Sequence, residues 1–196
     1  MHSFRMQPLV LLLLLLFAFL LGLLTGHVTY PTIASHLFKV RFAAEEQETR
    51  NFYKDNFLGV QAPAFEAVTN NGKKWNLSDH KDKVIVLHFW STSCNYCLKQ
   101  IPALVELNSL YSSRKDVVFT GVCLDLDKNL FPCYINAAGM TWPHLYEHKA
   151  GWENSIVQQL EINSIPSLWV IDQKGIIRGA HIPLQEVSTL LKSLTN

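Results

Sequence analysis

The 196-residue sequence has no basic run, no internal repeat and only four cysteines. With a formal net charge of +1 it lacks the electrostatic footprint of a nucleic-acid binder, and that class is excluded. A four-cysteine zinc site needs two close pairs, yet Cys94 and Cys97 form the one such pair while Cys123 and Cys133 stand ten residues apart. None of the eight histidines falls at the spacing of a two-cysteine, two-histidine finger, so no metal site is expected. Low complexity is confined to a leucine-rich leader in which Leu9 to Leu24 carries no charge and Arg5 is the only early Lys or Arg.

That leader belongs in a membrane. Extended through Gly26-His27-Val28 it approaches the ~20 residues that span a bilayer, whereas the apolar part of a cleaved signal is roughly 7–15 residues. Leu24-Thr25-Gly26 offers a small residue on only one side of a cleavage pair, and Thr32-Ile33-Ala34 fits better but lies far downstream. His27 stands where a lipoprotein would need cysteine. An uncleaved signal anchor over 1–28, crossing the membrane through residues 8–28, is the favoured reading and a cleaved signal the alternative. Arg5 on one side faces Lys39 and Arg41 on the other, so the charge rule leaves orientation open.

Residues 29–59 read as a stalk, partly helical from His36 to Leu58, with Phe38, Phe42, Thr49, Tyr53 and Phe57 at helix-like intervals. A spacer is the plain reading; packing on the domain, a membrane surface or a partner are the others. Residues 60–196 are long enough for one buried core. Within them Asn70-Asn71-Gly72 marks the turn of a hairpin between Phe65–Val68 and Lys74–Leu77. Lys83–Trp90 reads as a strand buried on both faces, Cys94–Tyr111 as a helix that Pro102 should kink, and Val117–Leu124 as the next parallel strand. Helical stretches over Lys128–Ala138 and Trp152–Leu160 lead to strands at Ile165–Asp172 and Ile176–His181. An amphipathic helix closes the chain at Leu184–Leu194.

Cys94-Asn95-Tyr96-Cys97 therefore sits at a strand-to-helix junction. Unpaired N–H groups and the positive dipole end of the helix favour a thiolate at Cys94, the expected nucleophile. Cys97, one turn on, is the expected resolving thiol that closes the disulfide.

The order of elements, with Ala62-Pro63-Ala64-Phe65, Phe89-Trp90-Ser91, the cysteine pair, Thr141-Trp142-Pro143, Ser164-Ile165-Pro166 and Ile171-Asp172-Gln173-Lys174-Gly175, resembles the thioredoxin fold. More narrowly it resembles the membrane-anchored TlpA/ResA-like branch. The resemblance implies an α/β domain, with a mixed central sheet flanked by helices and an N-terminal β-hairpin extension, following an N-terminal transmembrane helix. It implies a thiol–disulfide oxidoreductase on the extracytoplasmic, periplasmic side of a bacterial inner membrane. Its substrates would be exported proteins with cysteines, as in cytochrome c or copper-centre maturation. No cofactor is implied, since electrons pass through thiols from a membrane-embedded reductase or to an oxidant. Pro166 corresponds to the family's cis-proline, which would present Ile165 beside Cys94 to a substrate strand; Trp90 and Tyr96 complete the implied substrate contacts.

Three positions depart from that pattern. Ser93 replaces the tryptophan commonly found before the first cysteine, and Gln100 replaces a titrating glutamate. His88 replaces thioredoxin's buried acid; it is either a proton acceptor for Cys97 or a hydrogen-bonded core histidine. Cys123 reads as an inert buried thiol or as half of a Cys123–Cys133 disulfide. Asn95-Tyr96 matches neither the dipeptide of reductants nor that of strong oxidants, and potentials in this fold span about −270 to −120 mV, so direction of electron flow stays open. A peroxiredoxin-like peroxidase is disfavoured because Leu87 stands at the required proline. A Cu(I) module built on Cys94, Cys97 and a histidine is disfavoured because copper-chaperone relatives space their cysteines one residue wider.

Overall fold

The structure, a computed structural model, describes residues 13, 14, 16–21, 30–127, 131–146 and 151–195. The transmembrane helix expected over 8–28 has no counterpart among them: no described helix is long and apolar enough to cross a membrane. Most of 8–28 itself lies outside the described residues.

The chain divides into two compact units, 1–49 and 50–196. Helix α1, Tyr30–Phe57, runs across the division. In the first unit Phe38, Val40 and Phe42 are exposed, and Arg41 pairs with Glu45 one turn on at 2.9 Å. The second unit starts at Arg50 rather than at Val60, because the end of α1 is packed rather than a free stalk. Tyr53 is fully buried, its ring meeting Phe57 and Trp169. Its hydroxyl donates to the Glu161 carbonyl at 2.7 Å and accepts from the Asn163 N–H at 3.1 Å. Burial of an aromatic this size contributes on the order of 2–3 kcal/mol, far more than the spacer role required.

Seven strands form one mixed sheet in the order β2-β1-β5-β4-β3-β6-β7. They are β1 Glu66–Thr69, β2 Lys74–Asn76, β3 Val84–Trp90, β4 Val117–Cys123, β5 His144–Tyr146, β6 Ser167–Ile171 and β7 Ile177–Gly179. The helices after α1 are α2 Asn95–Tyr111, α3 Phe131–Ala137, α4 Ser155–Gln159 and α5 Leu184–Leu194. All seven residues of β3 are buried, which is why its sequence is continuously apolar instead of alternating. Parallel pairing of β3 with β4 around α2 gives the expected strand-helix-strand unit, and β6 runs antiparallel on the other side of β3.

Side chains alternate across β3. Ile85, Leu87 and Phe89 join Trp169, Ile171 and Tyr53 on one face. Val84, Val86 and Trp90 join Cys97, Ile101 and Leu104 of α2 on the other. A single helix, α2, runs through Pro102. In α5, Val187 and Leu191 are buried, with Glu186 in the first turn and Lys192 in the last, as the helix dipole favours.

The hairpin forms where expected. Gly72 supplies the positive φ of +78° that its turn needs. Unexpected is β5: the stretch after Thr141-Trp142-Pro143 enters the sheet between β4 and β1, parallel to the former and antiparallel to the latter. The hairpin therefore joins the sheet through β5. Asn70 clasps it, its N–H donating to the His144 carbonyl at 2.7 Å and its side-chain oxygen accepting the His144 N–H at 3.1 Å.

Candidate functional site

Strand β3 ends at Trp90 and a three-residue loop delivers Cys94 to the N-cap of α2. Cys94 and Cys97 are joined as a disulfide with Cα atoms 5.2 Å apart. The Cys94 sulfur accepts the Cys97 N–H at 3.1 Å, a helix-terminus donor placed to stabilise negative charge on that sulfur once the disulfide is reduced. Cys94 is half-buried whereas Cys97 is fully buried. An incoming disulfide can meet only Cys94, and the division into nucleophile and resolving thiol follows from that exposure.

The Ile165–Pro166 peptide is cis, and the Ile165 carbonyl oxygen stands 3.7 Å from the Cys94 sulfur. Tyr96 is 73% exposed beside the pair, with Lys99 Nζ 5.8 Å from its ring centroid. Trp90 departs from expectation. It is fully buried, so it belongs to the floor of the site and makes no substrate contact. Gln100 is half-buried, and its amide oxygen has no partner among the described residues.

Beneath the disulfide the sheet carries a row of polar residues. His88 on β3, Gly121 on β4 and His144 on β5 are register partners, so all three face the side of the sheet on which Cys97 packs. Gly121 makes room: a Cβ there would lie 2.3 Å from His144 Nδ1. His144 Nδ1 accepts the Trp90 indole N–H at 3.2 Å. Its ring stacks on Trp142, while His88 stacks on Trp90. Neither ring nitrogen of His88 has a partner among the described residues, nor does His144 Nε2. Among the described residues, then, no hydrogen bond supports the core-histidine alternative for His88. Burial, followed by the neighbouring His144, pushes His88 down to about 3. Burial pushes His144 down to about 3 as well, so both imidazoles are neutral.

Cys123 closes β4 opposite Trp90. The Cys133 side chain lies outside the described residues, and Cys123 is a free, buried thiol, the first of its two readings rather than half of a bridge. Its S–H donates to Asp125 Oδ2 at 3.3 Å. Burial, reinforced by the charge of that carboxylate, pushes the thiol well above its ordinary range. The same carboxylate accepts the Thr92 N–H with both oxygens, at 2.9 and 3.2 Å. His144, Gly121 and Asp125 were absent from the sequence-based set. A glycine inside a buried strand was the one local hint, since it marks a close approach.

The sequence profile of the AhpC/TSA family matches residues 58–180, which contain every residue of the site. The chain belongs to the AhpC/TSA family. Among similar proteins, the thioredoxin-like protein YneN of Bacillus subtilis is 30% identical over 127 residues, 63% of this chain and 71% of YneN. The thiol-disulfide oxidoreductase ResA of Bacillus thuringiensis is 28% identical over 120 residues, 60% of this chain and 65% of ResA. In fold, the chain resembles the thioredoxin domain of a thiol-disulfide oxidoreductase from Bacteroides vulgatus, with a TM-score of 0.64 at 20% identity, covering 71% of this chain and 98% of that one. A thiol-disulfide oxidoreductase from Bacteroides fragilis gives 0.64 at 23% identity, covering 69% and 99%. These two likenesses establish the thioredoxin-like fold. Homologues and fold neighbours are thioredoxin-like thiol-disulfide oxidoreductases, the enzyme class to which the Cys94–Cys97 disulfide also assigns this AhpC/TSA member.

Proposed function

We propose that this protein is a membrane-tethered reductant of disulfides in exported proteins, of the kind used in cytochrome c or copper-centre maturation. The observation that carries the chemistry is the asymmetry of the pair: a half-exposed Cys94 sulfur held by the Cys97 N–H, over a fully buried Cys97. The Cys94 thiolate attacks one sulfur of a substrate disulfide, that S–S bond breaks, and the second substrate sulfur leaves as a thiolate and takes a proton. Cys97 then loses its proton and attacks Cys94 Sγ, releasing the first substrate thiol and leaving the protein oxidised by two electrons. A membrane-embedded thiol reductase returns those electrons. An extended substrate segment pairs with the backbone of Ile165, and Tyr96 supplies an exposed apolar face beside it.

His88 is the candidate acceptor of the Cys97 proton. It lies on the sheet face against which Cys97 packs, and with its basicity lowered to about 3 it is unprotonated throughout the working range. The thiolate charge that develops beside it raises that basicity at the moment of transfer. The leucine run Leu9–Leu24 supports tethering, and an export-type N-terminus together with a redox cysteine pair supports a domain outside the cytoplasm.

The test uses a small disulfide dye with a thiol donor. Cys94→Ser is expected to lose about 10³-fold or more in rate. Cys97→Ser is expected to accumulate a Cys94 mixed disulfide that the native protein clears. Turnover by Cys94→Ser at the native rate would overturn the assignment. A potential of the native couple near the oxidising end of the thioredoxin-fold range would overturn the reductant role.

A further inference from the structure

The loop that presents Cys94 is tied down from outside the cysteine pair. Asp125, just past the end of β4, takes the Thr92 N–H on both carboxylate oxygens at 2.9 and 3.2 Å, two residues before the nucleophile. The neighbouring bonds leave the loop little freedom: Leu124 N donates to the Trp90 carbonyl at 2.8 Å, Cys94 N to the Ser91 carbonyl at 3.3 Å, and the Ser91 and Ser93 hydroxyls pair at 3.0 Å.

We infer that Asp125 is a positioning residue for Cys94, and that its negative charge on the Thr92 N–H disfavours the Cys94 thiolate and makes the disulfide couple more reducing. The inference rests on the exchange chemistry proposed above. Among the described residues, the elements around the loop hold no competing buried charge. Lys99 and Tyr96 on α2 face each other at 5.8 Å, His88 and His144 are neutral, Cys123 stays protonated, and Asp127 is exposed to solvent. Reduction adds two electrons and one proton to the neutral disulfide, giving a Cys94 thiolate and a Cys97 thiol. A fixed negative charge destabilises that product and leaves the disulfide untouched, so the potential falls. Asp125 thus opposes the helix dipole that favours the thiolate.

Asp125→Asn keeps an oxygen for the Thr92 N–H and removes the charge; Asp125→Ser does the same with a shorter acceptor and stands in if the amide fails to fold. The full chain is equilibrated in glutathione buffers of graded composition, thiols are trapped, and the Cys94 thiolate is followed by its ultraviolet absorbance against pH. Relative to the native protein, the uncharged variants are expected to shift about tenfold toward the dithiol, ~30 mV for a two-electron couple, and to form the thiolate at lower pH. Glu106→Gln, an exposed charge loss on α2, is expected to leave both readings unchanged. Superimposable titrations for Asp125→Asn and the native protein overturn the inference. A native pair that never exchanges with glutathione overturns the oxidoreductase reading instead.

Discussion

Cys94, set off from the end of β3 by a three-residue loop, and Cys123, the last residue of the neighbouring β4, meet opposite surroundings. Cys94 is half-buried at a helix N-terminus and its sulfur accepts a backbone N–H at 3.1 Å. Cys123 is 4% exposed and donates its proton to a carboxylate at 3.3 Å. The first environment stabilises the thiolate and the second the thiol. The same contrast divides the whole site into a reactive rim of Cys94, Tyr96 and Ile165, and a neutral floor of Cys97, Cys123, His88 and His144. What separates rim from floor is access to water and to backbone N–H groups, not residue type.

Acid breaks the floor before the rim. His88 and His144 resist protonation down to about 3 in the folded protein, whereas an unfolded histidine takes a proton near 6.5. Because the folded values are depressed, this stability is fully present above pH ~6.5 and lost as pH falls toward ~3, by ~1.4 kcal/mol per pH unit for each histidine. Denaturant unfolding between pH 7 and 4.5 should show that slope, and His88→Leu should remove about half of it. An unchanged slope in the variant would show that the floor histidines are not held neutral by the fold.

Gly121→Ala attacks the floor sterically, since its new methyl would lie 2.3 Å from His144 Nδ1. Overpacking of this kind costs about 1–3 kcal/mol, and a drop in melting temperature of about 2–10 °C should report it. Exchange by Cys94 should survive wherever the variant is folded; a stability equal to the native protein would mean that His144 is free to move aside. The smallest effects separate rim from floor most cleanly. Tyr96→Ala should weaken reduction of a peptide disulfide by about threefold through KM, as expected for the loss of one exposed aromatic contact. Cys123→Ala should leave that rate unchanged. The reverse ranking would place substrate binding on the wrong side of the site.

Much of the site was legible because it is local. Two cysteines three positions apart after a continuous apolar run specify a strand, an N-cap and a redox pair, and all of these rest on contacts within a few residues of one another. Ile165-Pro166 was legible through its place in the motif order. Tyr53 was read as part of a spacer because helical periodicity shows an apolar stripe but not what covers it, and here Trp169 does. Trp90 was read as a substrate contact because sequence proximity to Cys94 does not reveal that the side chain turns inward.

By itself the sequence determined the class of chemistry and the fold that presents it, since spacing, strand hydrophobicity and turn residues act over short distances. Only the tertiary structure decided which thiol meets solvent and which stays protonated, and which charge touches the Cys94 loop. It also set His144 against His88 across Gly121, because strand register brings together residues that are far apart in the chain. Burial, dipoles and carboxylates act through space, and that space exists only once β5 has entered the sheet between β4 and β1.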